Sequence, residues 1–223
     1  MSYNIMKTEG MSLLEGVELI QASYPNYNLK ELKDSVTNEK YSVQMIEKSL
    51  QDSSYMKEIL KMIIFDCLIG NSDRHHSNWA EIAKVYYDQE NYMFIFEFSI
   101  SPLYDNGSSL CSYINEEAIE LILKDNMRFE ALVNTKSKSA IGWENVRPIN
   151  HFDLLKKIRE NYFDKTKICV KTIKDNIDET NIAKILDEFS SDIISTNMKK
   201  LLRKYIIERK NRILKIYNMK DEG

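Results

Sequence analysis

The chain has 223 residues, 43% of them hydrophobic, enough to bury a core and to form one domain or one large lobe. A formal net charge of −3 excludes a nucleic-acid binder that works through bulk positive charge. The three cysteines (Cys67, Cys111 and Cys169) are odd in number and lack CxxC spacing. That pattern predicts inert thiols in a reducing compartment, with no disulfide framework and no zinc site.

The N-terminus shows neither the charged start nor the apolar block of a signal peptide, and Ser2 to Met6 alternates like a short strand before a Glu9-Gly10 turn. Ser12 to Ile20 reads as strand or short helix, with two glycines nearby weakening either assignment. After the Tyr24-Pro25-Asn26-Tyr27 loop, the charged stretch from Leu29 to Leu50 is expected to be helical. Ser53-Ser54 offers an N-cap for a helix over Tyr55 to Ile69, whose Ile59, Leu60, Ile63, Ile64 and Leu68 recur at helical spacing. Apolar on more than one face, this helix is expected to be central. Its longest apolar run, Ile59 to Ile69, is too short to cross a bilayer and contains Asp66, which predicts a soluble, cytoplasmic protein without membrane contact.

Gly70 ends that helix and opens Gly70-Asn71-Ser72-Asp73-Arg74-His75-His76-Ser77-Asn78-Trp79. The pattern then changes: Trp79 to Tyr87 and Tyr92 to Ile100 are rich in aromatic and β-branched residues around the polar break Asp88-Gln89-Glu90-Asn91, predicting a β-hairpin over 79–100. Its ends lie close together, so Asn78 is expected to meet Asp105 of the next loop, Ser101-Pro102-Leu103-Tyr104-Asp105-Asn106-Gly107-Ser108-Ser109-Leu110. The remainder reads as nearly all helix. Helices are expected after Asn115, from Asn150, over Asp178 to Phe189 and over Asn197 to Tyr217, with one long polar loop from Asn134 to Trp143. On the last helix the heavy Lys/Arg load is expected to be a solvated face or a docking surface.

Kinase-type phosphoryl transfer needs the inventory of these two loops: an Asp to take a hydroxyl proton, and a following Asn and a later Asp to hold magnesium. Together the loops resemble the catalytic and metal-binding loops of HipA-like serine/threonine kinases, whose Asp-Arg-His-x-x-Asn core is also found in phosphoinositide kinases. The resemblance implies an α+β, mainly α, kinase-like C-terminal lobe over 29–223, with 1–28 a remnant of the junction between two lobes. Ser2-Tyr3-Asn4 and Ser12 to Gly16 resemble that junction.

It further implies Asp73 as general base and Asn78 and Asp105 as Mg²⁺ ligands, with Arg74, His75 and Gly107 as supporting loop residues. His75 is expected to organise the loop, and Arg74 to balance the carboxylates, meet a phosphate or form a surface ion pair. A zinc site at His75-His76 is disfavoured because adjacent side chains diverge. By the resemblance the co-substrate is ATP with Mg²⁺ and the acceptor a protein hydroxyl. Ser108, Ser109, Ser137 and Ser139 are candidates for autophosphorylation. The chain has six glycines but no G-x-G-x-x-G or P-loop pattern, and no V-A-I-K-like strand before Asp73. Nucleotide-gripping groups are therefore expected from a missing or separate N-lobe, with weak or absent turnover without it. A DNA-binding antitoxin partner is implied by the same family. The alternatives are a catalytically silent binding or neutralising module and, lower, a lipid kinase, for which no amphipathic membrane-docking helix is evident.

Overall fold

A computed structural model describes residues 11–135 and 137–219. The expected Ser2–Met6 strand, the Glu9-Gly10 turn and the Ser2-Tyr3-Asn4 part of the proposed junction lie outside the described residues.

Both readings of Ser12 to Ile20 hold in succession. Strand β1 (Met11–Glu15) runs directly into helix α1 (Gly16–Ser23), where the side chains of Glu15 and Glu18 form a reciprocal capping box. The close entry is possible because Gly16 lies against Trp79: a Cβ there would stand 2.2 Å from the indole ring.

The expected helix over Leu29 to Leu50 is replaced by a short strand β3 (Lys33–Asp34), paired with β2 (Tyr27–Asn28) just before it, and a brief helix α2 (Val43–Ser49). Polar side chains take the backbone out of helical pairing. Asn28 Oδ1 accepts from the amides of Lys30 and Glu31, and Asp34 Oδ1 from those of Val36 and Thr37. Leu32 and Asn38 adopt left-handed backbone, at φ 51° and 59°.

Helix α3 (Met56–Ile69) is the central element, with ten buried residues. A 3-10 turn over Ser53–Tyr55 precedes it, and the cap of that turn is Asp52, whose carboxylate accepts from the Ser54 amide, rather than either serine. One face of α3 (Ile59, Leu60, Ile63) packs in a cluster with α1, α2 and Trp79. The other (Ile64, Cys67, Leu68) packs in a second cluster with the C-terminal helices. Each fully buried Ile or Leu contributes about 1.5–3 kcal/mol, so this helix fixes everything hung from its end.

Beyond it, β4 (Ala80–Asp88) pairs antiparallel with β5 (Met93–Ile100), and β1 pairs with the other edge of β4. Ala83, Val85, Tyr87, Phe94, Phe96 and Phe98 share one face of the hairpin, and most of them are exposed. Helices α4 (Glu116–Lys124) and α6 (His151–Asn176) are capped by Asn115 and Asn150. Between them lie α5 (Asn126–Glu130), a π-turn over Ala131–Thr135 and the short pair β6 (Lys138–Ser139) and β7 (Ile149–Asn150), which gives the expected polar loop partial structure. Helices α7 (Glu179–Asp187) and α8 (Thr196–Ile216) complete the described fold.

The basic face predicted for α8 is not wholly solvated. Arg209 and Lys210 are buried, and Arg209 crosses the core to donate to the carbonyls of Cys67 (2.6 Å) and Val133 (2.8 Å), to Ser137 Oγ and to His151 Nδ1. The Cys67 and Val133 carbonyls lie in or beside helix ends that α8 spans, so the guanidinium supplies donors no backbone group offers.

Candidate active site

The site is built from the C-terminus of α3 outward. Gly70 turns the chain at φ 70°, a left-handed conformation that glycine adopts without steric cost. The amide of Asn71 donates to the Asp66 carbonyl, its side-chain amide to Asp66 Oδ1 at 3.1 Å, and its Oδ1 accepts from the Asp73 amide. Asp73 is thereby held just past the helix end, exposed to solvent.

Arg74 is neither a surface ion pair nor directed at an open phosphate site. It is 1% exposed, and its guanidinium grips Asp66 with Nε to Oδ2 and Nη2 to Oδ1, both at 2.9 Å. Its remaining donors reach the carbonyls of Asn78 and Tyr104, both at 2.7 Å, and Asn106 Oδ1 at 2.5 Å. One guanidinium thus joins the first loop to residues on both sides of Asp105.

Further bonds make the same join. The Tyr104 hydroxyl donates to the Ser77 carbonyl (3.0 Å), the Leu110 amide to the Ile69 carbonyl (2.9 Å), and the Ser72 amide faces the Ser108 carbonyl at 3.5 Å. On the inner side, Trp79 Nε1 donates to the Tyr41 hydroxyl, which in turn donates to the Arg74 carbonyl.

Asn78 is buried, and its Nδ2 donates to the Asp73 carbonyl at 2.7 Å. With that nitrogen committed, Oδ1 is the atom left to act as an outward acceptor or ligand. Asp105 is exposed and sits at φ 50°. Asp105, not Gly107, takes a left-handed position in this turn. Aspartate tolerates that region better than most residues, at a cost of about 1–3 kcal/mol. Gly107 is exposed, and its carbonyl accepts from Ser112 Oγ.

An amide oxygen and a carboxylate are hard donors that fit Mg²⁺, which typically takes one or two protein oxygens and completes its shell with phosphate and water. Among the described residues, no group of three or more His, Cys, Asp or Glu side chains gathers to hold a metal alone.

His75 shapes its loop: its Nδ1 accepts from the Ser77 amide at 3.2 Å. His76 is buried, with Nδ1 3.0 Å from the Tyr27 hydroxyl, and burial pushes its pKa down to about 4, so it stays neutral. Three of the four serine candidates, Ser109, Ser137 and Ser139, are buried. Ser109 Oγ donates to the Asn106 carbonyl, Ser137 Oγ meets Arg209, and Ser139 Oγ accepts from the Ile141 amide.

Sequence reasoning did not single out Asp66, Tyr41, Tyr104 or Asn106 as parts of this site. Asp66 had a readable signal. A buried aspartate is almost always paired, and it stands inside the longest apolar run, eight residues before Arg74. Asp73 also lines a cleft of about 370 Å³ bordered by Leu32, Lys30, Lys138 and Arg147. The Asn134–Trp143 segment supplies Lys138, Ser139 and Ala140 to its wall.

No protein-family model matches the chain. Its sequence is similar to the serine/threonine-protein kinase CtkA of Helicobacter pylori (strain J99), at 26% identity over 158 residues, which are 70% of this chain and 44% of that kinase. The chain thus spans less than half the length of the curated relative it matches. The fold is that of the H. pylori proinflammatory kinase CtkA in its crystal structure, with a TM-score of 0.70 and 20% identity over 95% of this chain and 68% of that one. The helix-rich α+β fold is kinase-like. No helix among the described residues is long and apolar enough to cross a membrane.

Proposed function

We propose that this chain is the catalytic lobe of a HipA-like protein serine/threonine kinase, which transfers the γ-phosphoryl group of ATP to a protein hydroxyl. The observation that carries the reading is the Arg74 guanidinium, which ties the Asp73–Asn78 loop to the Tyr104–Asn106 loop through Asp66, two carbonyls and a side-chain amide. A fixed relation between a base and two ligand-bearing positions is what this chemistry asks of a protein, since its catalysis is mostly positioning and electrostatic stabilisation.

In the proposed reaction the acceptor oxygen attacks the γ-phosphorus in line with the leaving oxygen. The new P–O bond forms as the bond to the β-phosphate oxygen breaks, and ADP departs. The Asp73 carboxylate takes the hydroxyl proton; its exposure at the mouth of a cleft suits contact with a substrate. Asn78 Oδ1 and the Asp105 carboxylate would hold Mg²⁺, whose charge would offset that of the phosphates. Arg74, His75 and the Asn71 side chain keep the base and the ligand loop in place and do not touch the reacting atoms.

The described residues contain no G-x-G-x-x-G loop and no V-A-I-K-like strand to cover the phosphates. The proposal therefore includes an N-lobe, on the same polypeptide or a separate one, that supplies them. The HipA-like reading also carries a DNA-binding antitoxin partner, which co-purification from the native source would reveal.

The test is phosphorylation of a protein acceptor with Mg²⁺ and ATP, read by mass spectrometry on this chain and on the full native polypeptide. Transfer is expected from the full polypeptide and little from the chain alone. Rates of about 1–100 s⁻¹, ordinary for kinases, from the isolated chain would contradict the two-part reading. MgATP binding without transfer in either form would replace it with a silent binding module.

A further inference from the structure

The cleft beside Asp73 has a one-sided charge. Its ionised lining is Lys30, Lys138 and Arg147, and Asp73 is the only carboxylate on its wall. None of the three cations has an ion-pair partner among the described residues, although the overall charge is negative and nearby lysines such as Lys33 and Lys48 are paired with Glu31 and Glu39.

Arg147 is the informative member. It is partly buried, and burial lowers its pKa. Its Nε donates to the Ala140 carbonyl at 2.7 Å, fixing the plane of the group. The rings around it, Tyr27, Tyr41 and His76, bring no negative charge at neutral pH: burial raises both tyrosine pKa values above their ordinary range and keeps His76 neutral. A desolvated, oriented guanidinium without a carboxylate is costly unless an anion completes it, and its free edge suits bidentate pairing with a carboxylate.

We infer that the cleft recognises acidic residues flanking the acceptor hydroxyl, so that the preferred substrate is a Ser or Thr in an acidic segment. The inference rests on the kinase reading of Asp73. Arg147 takes a carboxylate on one side of the acceptor residue, and Lys30 and Lys138 attract the others. Electrostatic complementarity of this kind selects partners and speeds encounter more than it adds raw affinity.

Because the preference is carried by the cleft and not by turnover, it is tested by binding. A fluorescent peptide with Glu on both sides of one Ser is titrated into the chain at low salt, next to its counterpart with Lys in place of Glu. The acidic peptide is expected to bind at least tenfold more tightly, and to weaken as salt is raised. Lys138→Glu, an exposed position with no side-chain bond to lose, is expected to weaken it at least threefold, and Arg147→Gln more. MgATP should not displace it.

Equal binding of the two peptides, or no change in Lys138→Glu, would overturn the inference. Displacement by MgATP would also overturn it, by assigning the cations to nucleotide phosphates, and so would displacement by vesicles rich in anionic lipid. Failure here leaves phosphoryl transfer by the full polypeptide as a separate result. Acidic-peptide binding without transfer would instead separate the cleft from the kinase reading.

Discussion

Arg74 and Asp66 form a buried, bidentate pair, and the same guanidinium reaches the loop that carries Asp105. Removing one partner strands the other charge in the core, which costs about 3–5 kcal/mol. Asp66→Asn is therefore expected to lower urea-unfolding stability by that amount, and Arg74→Lys to recover little of it, because an ammonium cannot reproduce the planar fork. A change below about 1 kcal/mol in either variant would mean that the pair does not organise the loops.

Asp73 is exposed, and only its backbone atoms take part in the hydrogen bonds of the loop. Asp73→Asn should accordingly fold with unchanged stability and an unchanged circular dichroism spectrum. In the full polypeptide it is expected to lower phosphoryl transfer by about 10²–10⁴-fold. Retained transfer would remove the general-base role.

The α3 end tolerates no side chain at Gly70. A Cβ there would stand 1.9 Å from the Tyr205 hydroxyl, on a backbone at φ 70°. Gly70→Ala is expected to lose more than the roughly 1 kcal/mol of left-handed strain alone, and Tyr205→Phe should restore part of that loss. Thermal denaturation of the two single variants and the double variant measures the coupling.

His151 gives the fold an acid sensitivity. Burial first, and then the Arg209 guanidinium, push its pKa down to about 3. Between that value and the ordinary 6.5 the unfolded chain binds a proton that the folded chain refuses, so stability falls as pH drops through this window. From pH 7 to pH 5 the loss from this group is about 2 kcal/mol. The difference between the wild type and His151→Asn, whose Oδ1 takes the place of Nδ1 as an acceptor for Arg209, isolates it. Identical pH profiles for the two proteins would contradict the burial of a neutral imidazole.

How far the sequence could be read followed the range of the interactions. Helix α3, the caps Asn115 and Asn150 and the change of period after Trp79 rest on local spacing, and each was visible in the chain. The stretch from Leu29 to Leu50 was misread because Asn28 and Asp34 divert the backbone by side-chain bonds that helical periodicity does not register. The residues of the two loops were legible by type, whereas the way the loops are joined was not. Arg74 was expected to balance the carboxylates, meet a phosphate or form a surface ion pair, and only the fold brings Asp66, Tyr104 and Asn106 around it. Arg209 was hidden in the same way, a buried cation within a helix heavily loaded with Lys and Arg. Lys138 and Arg147 meet Asp73 only through the β6–β7 connection, which has no local signature.

The central claim is that Asn78 and Asp105 form, with nucleotide, a divalent-metal site beside Asp73. Calorimetric titration of the full native polypeptide with ATP tests it most directly, with and without Mg²⁺, on the wild type and on Asp105→Ala. The account predicts saturable binding that requires Mg²⁺ and disappears in Asp105→Ala. Binding of equal strength in the variant, or no binding at millimolar MgATP, would contradict it.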